Sequence, residues 1–235
     1  MKSKGLWKFL VKTFVPLFIK KAAYVTCPSE KLYDLLKGYG VKNPLEIVPV
    51  GLDLNVFFQR LTAEERRNLR TELKVNEDDT LFISVCRLSK EKKVDELIRL
   101  FNLINEDKPK TKRLIVRGGE EEANLRTIAS TNPAISFTGR IPSSDIWKYY
   151  QAGDIMASAS ESETLGLTNV EALASGTPLI CKMDKAITGY LKEGENGFFV
   201  DSDDQFVEKA KKMLADSALM ADFKANAEKS AYRFS

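Results

Sequence analysis

The chain has 235 residues, of which 43% are hydrophobic and 29% are charged, and its formal net charge is +3. These values are ordinary for a folded domain and exclude disordered and collagen-like classes. The basic residues are dispersed after residue 25, so the charge pattern demands no nucleic-acid partner. The sequence contains no histidine, which excludes a Ser-His-Asp hydrolase, a Cys-His protease and a histidine-built zinc site.

The three cysteines, Cys27, Cys86 and Cys181, lie far apart and show no metal-site spacing. Each belongs to an apolar run, which predicts buried, reduced thiols. Reduced thiols are typical of a cytoplasmic protein rather than a secreted one.

The first predicted element is an amphipathic helix over residues 6–18, which Pro16 should kink or shorten. Its apolar face either packs into another domain, which is the interpretation we favour, or lies on anionic lipid. The side chains that suit lipid are Trp7, Phe9, Phe14, Phe18, Lys8, Lys12, Lys20 and Lys21. The lysines are spaced too closely for a membrane span, and no small-residue cleavage site follows that would indicate a signal peptide.

Two short strands and a helix come next. The strands are predicted over residues 22–27 and 45–51, and the helix between them should begin with Ser29 as its N-cap. Residues 1–57 hold too little apolar material for an independent core, so we expect them to be the remnant of another domain.

From residue 62 onward, predicted strands alternate with predicted helices. The strands are 80–86, 113–119, 134–139, 154–160, 178–183 and 197–200, and the helices are 62–73, 93–104, 121–130, 143–152, 167–175 and two at the end of the chain. This alternation predicts repeated βαβ units, and the almost continuously apolar strands predict a sheet covered on both faces. We therefore expect an α/β domain with a Rossmann-like, doubly wound parallel sheet over residues 58–235.

Sheets of this class bind ligands at the carboxyl ends of their strands. Arg87 and Lys92 follow the strand 80–86, where a cluster of cations suits a diphosphate. A solvated basic loop explains the same residues equally well.

Two further strand ends carry weaker signals. Gly118 and Gly119 permit close backbone approach before a helix, although a plain strand-to-helix turn is the favoured interpretation. Ile141 lies in the loop 138–142, which either offers backbone groups to a heterocyclic base or is a turn fixed by glycine and proline.

The most informative segment is residues 160–178. Glu163 precedes a predicted helix and Glu171 lies inside it, while Gly166 and Leu167 form its N-terminus, which attracts anions. Two carboxylates suit a polyhydroxylated ligand because they accept hydrogen bonds. A pair of helix-N-terminal acids is the weaker alternative, because an unpaired Glu171 in an apolar helix would be costly. We interpret Glu161 as a solvated loop acid.

These residues resemble a known family. SETLGLTNVEALASGTP resembles the motif of family-4 retaining glycosyltransferases, whose Glu-x7-Glu pattern spans Glu163 and Glu171. The Arg-x4-Lys pair, the glycine element and the FTGRIP loop occur in the family's order. The resemblance covers residues 22–232 and implies the C-terminal half of a GT-B fold. Within the family, ISVCRLSKEKKVDELI and SASESETLGLTNVEALASGTPLI look most like bacterial diacylglycerol glucosyltransferases.

The resemblance implies a role for each matched residue. Arg87 and Lys92 would bind the donor diphosphate and stabilise the leaving nucleotide, and Glu163 would hold hydroxyls of the sugar. Glu171 would bind the ribose. The other donor-binding positions are Gly166, Leu167, Gly118, Gly119 and Ile141. Front-face attack assisted by the leaving phosphate requires no enzymic nucleophile, and the family usually needs no metal or other cofactor.

The implied reaction is transfer of glucose from UDP-glucose to diacylglycerol with retention, by a cytoplasmic protein peripheral on the inner membrane face. The alternatives are a polysaccharide or small-molecule acceptor, and a nucleotide-binding module without catalysis.

Two features depart from the family: Lys93 stands where glycine is common, and the N-terminal acceptor domain, with its histidine, is nearly absent. We therefore expect a truncated fragment that supplies the donor site and is inactive alone.

Overall fold

The computed structural model describes residues 2–48, 50–160 and 162–234, with side chains over residues 10–48, 50–160, 162–232 and 234. The side chains of Trp7, Lys8 and Phe9, and the whole of Glu161, lie outside these ranges. Where residues are described, no helix is both long and apolar enough to cross a membrane.

The amino-terminal part contains two helices and a two-stranded parallel sheet. The elements are α1 (Lys2–Ile19), β1 (Val25–Cys27), α2 (Glu30–Gly38) and β2 (Leu45–Ile47), with Val25 opposite Leu45. Both strands are shorter than the predicted 22–27 and 45–51. The predicted helix is confirmed, but it is not shortened at Pro16 and continues to Ile19.

The larger part is a parallel sheet covered by helices on both faces. Its strands are β3 (Thr80–Val85), β4 (Thr111–Val116), β5 (Ile135–Gly139), β6 (Ile155–Ser158), β7 (Leu179–Lys182) and β8 (Gly197–Val200). The order across the sheet is β5-β4-β3-β6-β7-β8, and all five pairings are parallel. This is the Rossmann order, in which the direction of winding reverses between β3 and β6. The predicted fold class is confirmed.

Seven helices of this part connect the strands or close the chain within the described residues. They are α3 (Ala63–Glu72), α4 (Val94–Asp107), α5 (Glu122–Ala129), α6 (Ile146–Ala152), α7 (Leu167–Ala174), α8 (Asp203–Ala215) and α9 (Ser217–Ala231), with 3₁₀ turns at Lys90–Lys92 and Tyr232–Phe234. Thr62 and Glu65 form a capping box at the start of α3, which explains why that helix begins where it does.

Each face of the sheet has its own core. Ile83 and Val85 of β3 point to one face and pack with Tyr150 of α6 and Leu173 of α7. Phe82 points to the other face, where the packing includes Phe101 of α4 and Phe206 of α8. Alternation along β3 therefore sends side chains into two buried layers, as expected for a sheet covered on both sides.

The connection between the two parts packs on the larger sheet. Leu54 is fully buried in the first core, and Leu52, Phe57 and Phe58 pack against that core. The Leu52 amide donates a hydrogen bond of 2.7 Å to the Phe234 carbonyl, which joins this connection to the last turn of the chain. The predicted domain boundary between residues 57 and 58 stays a prediction.

The cysteines are all free thiols. Cys27 and Cys181 are buried as predicted, whereas Cys86, directly after β3 at the carboxyl end of the sheet, is only partly buried.

Candidate functional site

An open cleft of about 380 Å³ lies at the carboxyl ends of β3, β4 and β6, where the sheet order reverses. Five of the predicted site residues line it, namely Arg87, Lys92, Glu163, Gly166 and Leu167. Pro28 and Val50 of the amino-terminal part also line the cleft. The reversal point is where open α/β sheets bind their ligands, because the connecting loops separate there.

A larger concavity of about 530 Å³ runs along α3 and includes Arg66, Arg70 and Lys74. It lies on the side of the residues that precede β3, at the amino ends of the strands. Its charged residues are engaged in structure, since Arg66 and Arg70 both pair with Asp154. We therefore place the functional site at the smaller cleft.

An ion pair spans the cleft. Lys92 Nζ lies 2.6 Å from Glu163 Oε1, and both side chains are largely buried, with 22% and 14% of their surface exposed. Lys92 ends the 3₁₀ turn after β3, and Glu163 lies in the loop after β6. The sequence places these residues 71 positions apart, and the sheet order brings them together.

Arg87 occupies the open rim of the same cleft. Its Nη2 lies 3.3 Å from Glu91 Oε1, and 74% of its side chain is exposed. Glu91 also accepts a hydrogen bond of 2.7 Å from Ser89 Oγ. An exposed pair of this kind is weak, so the guanidinium can turn to an incoming anion at low cost.

Gly166 forms the tight start of α7. Its φ is 72°, and a Cβ built there would lie 2.3 Å from the Tyr190 hydroxyl oxygen. That hydroxyl donates to the Gly166 carbonyl at 3.2 Å and accepts from Asn169 Nδ2 at 3.3 Å. Only glycine satisfies both the backbone angle and the available space. Leu167 follows as the first helical residue, at the cleft.

Glu171 lies in α7 and is not among the residues that line the cleft. Tyr150 donates its hydroxyl hydrogen to Glu171 Oε2 at 2.8 Å. Burial raises the pKa of Glu171, while the Tyr150 hydrogen bond and the charge of Arg117 act in the opposite direction. The carboxylate is therefore partnered, and the sequence argument that an unpaired acid would be costly in this helix agrees with its surroundings.

Gly118, Gly119 and Ile141 lie beside the cleft rather than among its lining residues. The Leu88 amide donates to the Gly118 carbonyl at 3.2 Å, and a Cβ at Gly119 would lie 2.3 Å from the Leu88 carbonyl oxygen. These glycines allow the loops after β3 and β4 to touch. Ile141 is partly buried against the first core. Donor binding by these three residues stays a prediction.

Two residues of the site escaped the sequence argument. Arg117 lines the cleft directly after β4, next to the two glycines that the sequence pattern singles out. Ser29 was expected to cap α2, but its side chain makes no capping hydrogen bond. Its Oγ instead donates to the Thr164 carbonyl at 2.7 Å, next to Glu163. A contact between residues 135 positions apart leaves no local signal in the sequence.

Lys93, which stands where the resembled family commonly has glycine, has an unusual backbone conformation. Lys93 has φ 49° and ψ 43°, a left-handed conformation between the 3₁₀ turn and α4. Glycine adopts this conformation without strain, which explains why glycine suits the position and why lysine is tolerated only at some cost.

The fold is an α/β domain of the GT-B type, with an open cleft at the reversal point of its sheet. The model of the family described as "Glycosyl transferases group 1" matches residues 65–230. The chain therefore belongs to the group 1 glycosyltransferases.

Curated relatives carry a more specific name. The chain is 34% identical over 175 residues to an alpha-monoglucosyldiacylglycerol synthase of Streptococcus pneumoniae, covering 73% of this chain and 40% of that protein. It is 27% identical over 215 residues to the enzyme of the same name from Acholeplasma laidlawii, covering 90% of this chain and 54% of that protein. The chain thus spans about half the length of the curated relatives it matches.

Solved structures agree on the fold. Anabaena Alr3699/HepE, solved in complex with UDP and glucose, superposes with a TM-score of 0.83 at 20% identity, covering 95% of this chain and 62% of that one. At this identity the likeness shows the fold alone. The expected GT-B half is confirmed.

Proposed function

We propose that this chain supplies the donor site of a retaining glucosyltransferase that transfers glucose from UDP-glucose to diacylglycerol. The observation that carries the proposal is the Lys92–Glu163 pair inside the cleft at the reversal point of the sheet. A cation and an acid held side by side match the two ends of a nucleotide-sugar bond, which are a phosphate oxygen and a sugar ring with its hydroxyls.

The proposed chemistry is electrostatic. When UDP-glucose binds, Lys92 and Arg87 contact the diphosphate and offset the negative charge that grows as the glycosidic bond breaks. Glu163, released from Lys92, accepts hydrogen bonds from glucose hydroxyls, and Glu171 accepts them from the ribose. We propose that no metal takes part, since the two cations provide the charge compensation at the diphosphate.

The acceptor and the stereochemistry rest on the relatives. The names of these relatives specify a single alpha-linked glucose on diacylglycerol. UDP-glucose is itself an alpha-glucoside, so an alpha-linked product means retention. The acceptor oxygen then attacks from the face that the leaving diphosphate occupies, and a phosphate oxygen removes its proton.

We further propose that residues 1–57 are the end of an acceptor-binding domain and its linker, and that residues 58–235 are the donor-binding domain. Pro28 and Val50 bring the first part to the cleft. The proposed location is the cytoplasm, peripheral on the inner membrane face. The exposed Phe14, Leu17 and Phe18 of α1 support either contact with lipid or packing in the remaining acceptor domain.

Donor binding is tested by titrating the chain with UDP and UDP-glucose in a calorimeter, with and without EDTA. We expect both to bind, with affinities that EDTA leaves unchanged and that Lys92→Met lowers. Absence of UDP-glucose binding to the wild-type chain would overturn the donor assignment.

Transfer is tested by adding the chain to vesicles that contain diacylglycerol and UDP-[¹⁴C]glucose, alone and together with the amino-terminal half of the Acholeplasma laidlawii relative. We expect labelled alpha-glucosyldiacylglycerol only when the acceptor half is supplied, with the anomer determined by NMR. Labelling of an added polysaccharide or polyol instead of lipid would assign a different acceptor. Donor binding without transfer to any acceptor would favour a module without catalysis.

A further inference from the structure

Arg117 has a backbone conformation that its side chain disfavours. It follows β4 directly and has a φ of 82°. Among the non-glycine residues that the structure describes, only Lys74 and Lys93 also have a positive φ. Such a backbone is strained for a residue with a large side chain, and glycine would relieve the strain. The conformation therefore points to a role of the arginine side chain that glycine could not fulfil.

A bulge between β4 and β5 holds this conformation. Ile115 pairs with Phe137 and Val116 pairs with Gly139, so Thr138 is an extra residue in β5. The Arg117 amide donates a hydrogen bond of 3.3 Å to the Thr138 side-chain oxygen. Bulges at strand ends often redirect a side chain beside a functional site. The bulge lies directly before Arg117, whose side chain lines the cleft.

The Arg117 side chain lacks the partners that the other cations of the cleft possess. Lys92 pairs with Glu163, and Arg87 pairs with Glu91. Arg117 forms no ion pair with any part of the chain that the structure describes, and its buried Nε has no hydrogen-bond partner. A half-buried guanidinium without a carboxylate is unfavourable unless an anion binds to it.

Arg117 lines the cleft together with Lys92 and Glu163. Burial raises the pKa of Glu171, and the Arg117 charge is among the influences that oppose this. Burial also raises the pKa of Cys86 to about 11, and here the charges of Lys92 and Arg117 both act in opposition. Arg117 therefore shares the cleft lining with Lys92, and its charge also acts on Glu171 of α7.

We propose that Arg117 binds the phosphate nearest the ribose of a nucleoside diphosphate, as a third cation of the cleft. The inference rests on the proposed donor site, in which Glu171 binds the ribose and Lys92 binds the phosphate that carries the sugar. A planar guanidinium suits this place because it donates two parallel hydrogen bonds to one phosphate. Arg117 thus supplies affinity for the nucleotide, and Lys92 acts at the leaving oxygen.

Three probes separate the two phosphates, namely uridine, UMP and UDP, each titrated into the chain by calorimetry. We expect Arg117→Gly to weaken UMP and UDP by the same factor, roughly tenfold or more, and to leave uridine unchanged. Arg117→Lys should recover part of the loss, because it keeps the charge. Lys92→Met should weaken UDP more than UMP.

Lys74→Gly is the matched control, since Lys74 also has a positive φ of 58° but lies on the α3 side of the sheet. We expect both glycine variants to keep or raise Tm, by up to about 4 °C, because backbone strain is relieved. Only Arg117→Gly should lose nucleotide affinity. A rise in stability together with a loss of affinity is the result that a purely structural Arg117 would not give.

The outcomes distinguish this inference from the proposed function. If the wild-type chain binds neither UMP nor UDP, the donor site itself is wrong. If UDP binds and depends on Lys92, but Arg117→Gly binds UMP and UDP as tightly as Lys74→Gly does, the donor site stands and the role of Arg117 is overturned. Equal weakening of uridine, UMP and UDP would also overturn it, since that pattern indicates damage to the fold rather than loss of a phosphate contact.

Discussion

Lys92 Nζ and Glu163 Oε1 lie 2.6 Å apart and join the loop after β3 to the loop after β6. Each group satisfies the charge of the other. A diphosphate must therefore compete with Glu163 for Lys92, and a sugar must engage the carboxylate that this competition releases.

This competition predicts opposite effects on two ligands. We expect Glu163→Gln to bind UDP as tightly as the wild type or more tightly, because Lys92 is then free of its carboxylate. The same variant should lose the additional affinity for UDP-glucose over UDP, by roughly tenfold. Calorimetric titration with both ligands measures the difference, and Glu77→Gln, an exposed acid on the α3 side of the sheet, is the charge-matched control. A tenfold loss of UDP affinity in Glu163→Gln would contradict the prediction.

We expect the substitution of Glu171 to raise the stability of the fold and to weaken the binding of uridine. Its pKa is raised by burial, so the folded chain holds this proton at a pH where the unfolded chain has already released it. The stability contribution of the group is thus fully present below its unfolded pKa and is lost as pH rises through the folded value. We expect Glu171→Gln to raise Tm at pH 7, with a gain that shrinks toward pH 4, and to weaken uridine roughly tenfold. Thermal unfolding across pH and uridine titration test the two halves, and an unchanged uridine affinity would remove Glu171 from the ribose site.

We expect a side chain at Gly166 to be destabilising for a steric reason, and comparison with Gly194 separates this effect from that of the backbone angle. Gly166 and Gly194 have φ values of 72° and 75°, but only at Gly166 would a Cβ meet a neighbour, the Tyr190 hydroxyl. We expect Gly194→Ala to cost about 1 to 2 kcal/mol from the backbone alone. Gly166→Ala should cost about 1 to 3 kcal/mol more, because the site is overpacked. Urea unfolding measures both, and Tyr190→Phe should recover part of the Gly166→Ala loss. Equal costs for the two alanine variants would show that Tyr190 moves away freely.

We expect Asp154, which lies far from the cleft, to make the stability of the fold sensitive to acid. It precedes β6 and pairs with Arg66, Arg70 and Lys224. Burial acts to raise its pKa, but these charges and the Leu81 amide outweigh burial, so the pKa lies below the usual 3.8. Its stabilising contribution is therefore present above that value and is lost as pH falls through the lower folded pKa.

We expect Asp154→Asn to lower stability by about 3 kcal/mol at pH 7, because Arg70 is left buried without its carboxylate. The deficit should disappear in acid, and UDP affinity at pH 7 should not change. Urea unfolding at several pH values is the measurement, with the exposed pair partner Asp78→Asn as the control that changes little. A deficit that persists below pH 3 would rule out the ionic explanation.

The sequence predicted the larger sheet well because its strands are buried on both faces. Runs such as residues 81–85 are apolar almost throughout, and their alternation with helices leaves few arrangements other than a parallel sheet. Glu163 and Lys92 could be assigned to one site because both follow strands. The sequence was less informative for β1 and β2, which are three residues each, since a short apolar run does not fix where pairing ends.

What escaped prediction depends on backbone angles or on distant contacts. The sequence around Arg117 does not indicate a positive φ, because that angle accompanies the bulge at Thr138. Ser29 has the residue type and spacing of an N-cap, yet its hydroxyl is taken by Thr164. An N-cap oxygen accepts a hydrogen bond from the helix amides, whereas the Ser29 hydroxyl donates one to the Thr164 carbonyl. The tertiary acceptor therefore sets the direction of the side chain, and no capping hydrogen bond forms.

The hydrogen bond from Ser29 to the Thr164 carbonyl ties the start of α2 to the loop that carries Glu163. Lys31 of α2 pairs with Asp184, and Asp34 pairs with Lys185 at 2.6 Å, so the same helix is fastened to the larger sheet at three points. A swing of the amino-terminal part away from the cleft would have to break these bonds or pull the donor loop with it. Any effect of a bound ligand on these three contacts must be matched by an equal effect of the contacts on the affinity for that ligand.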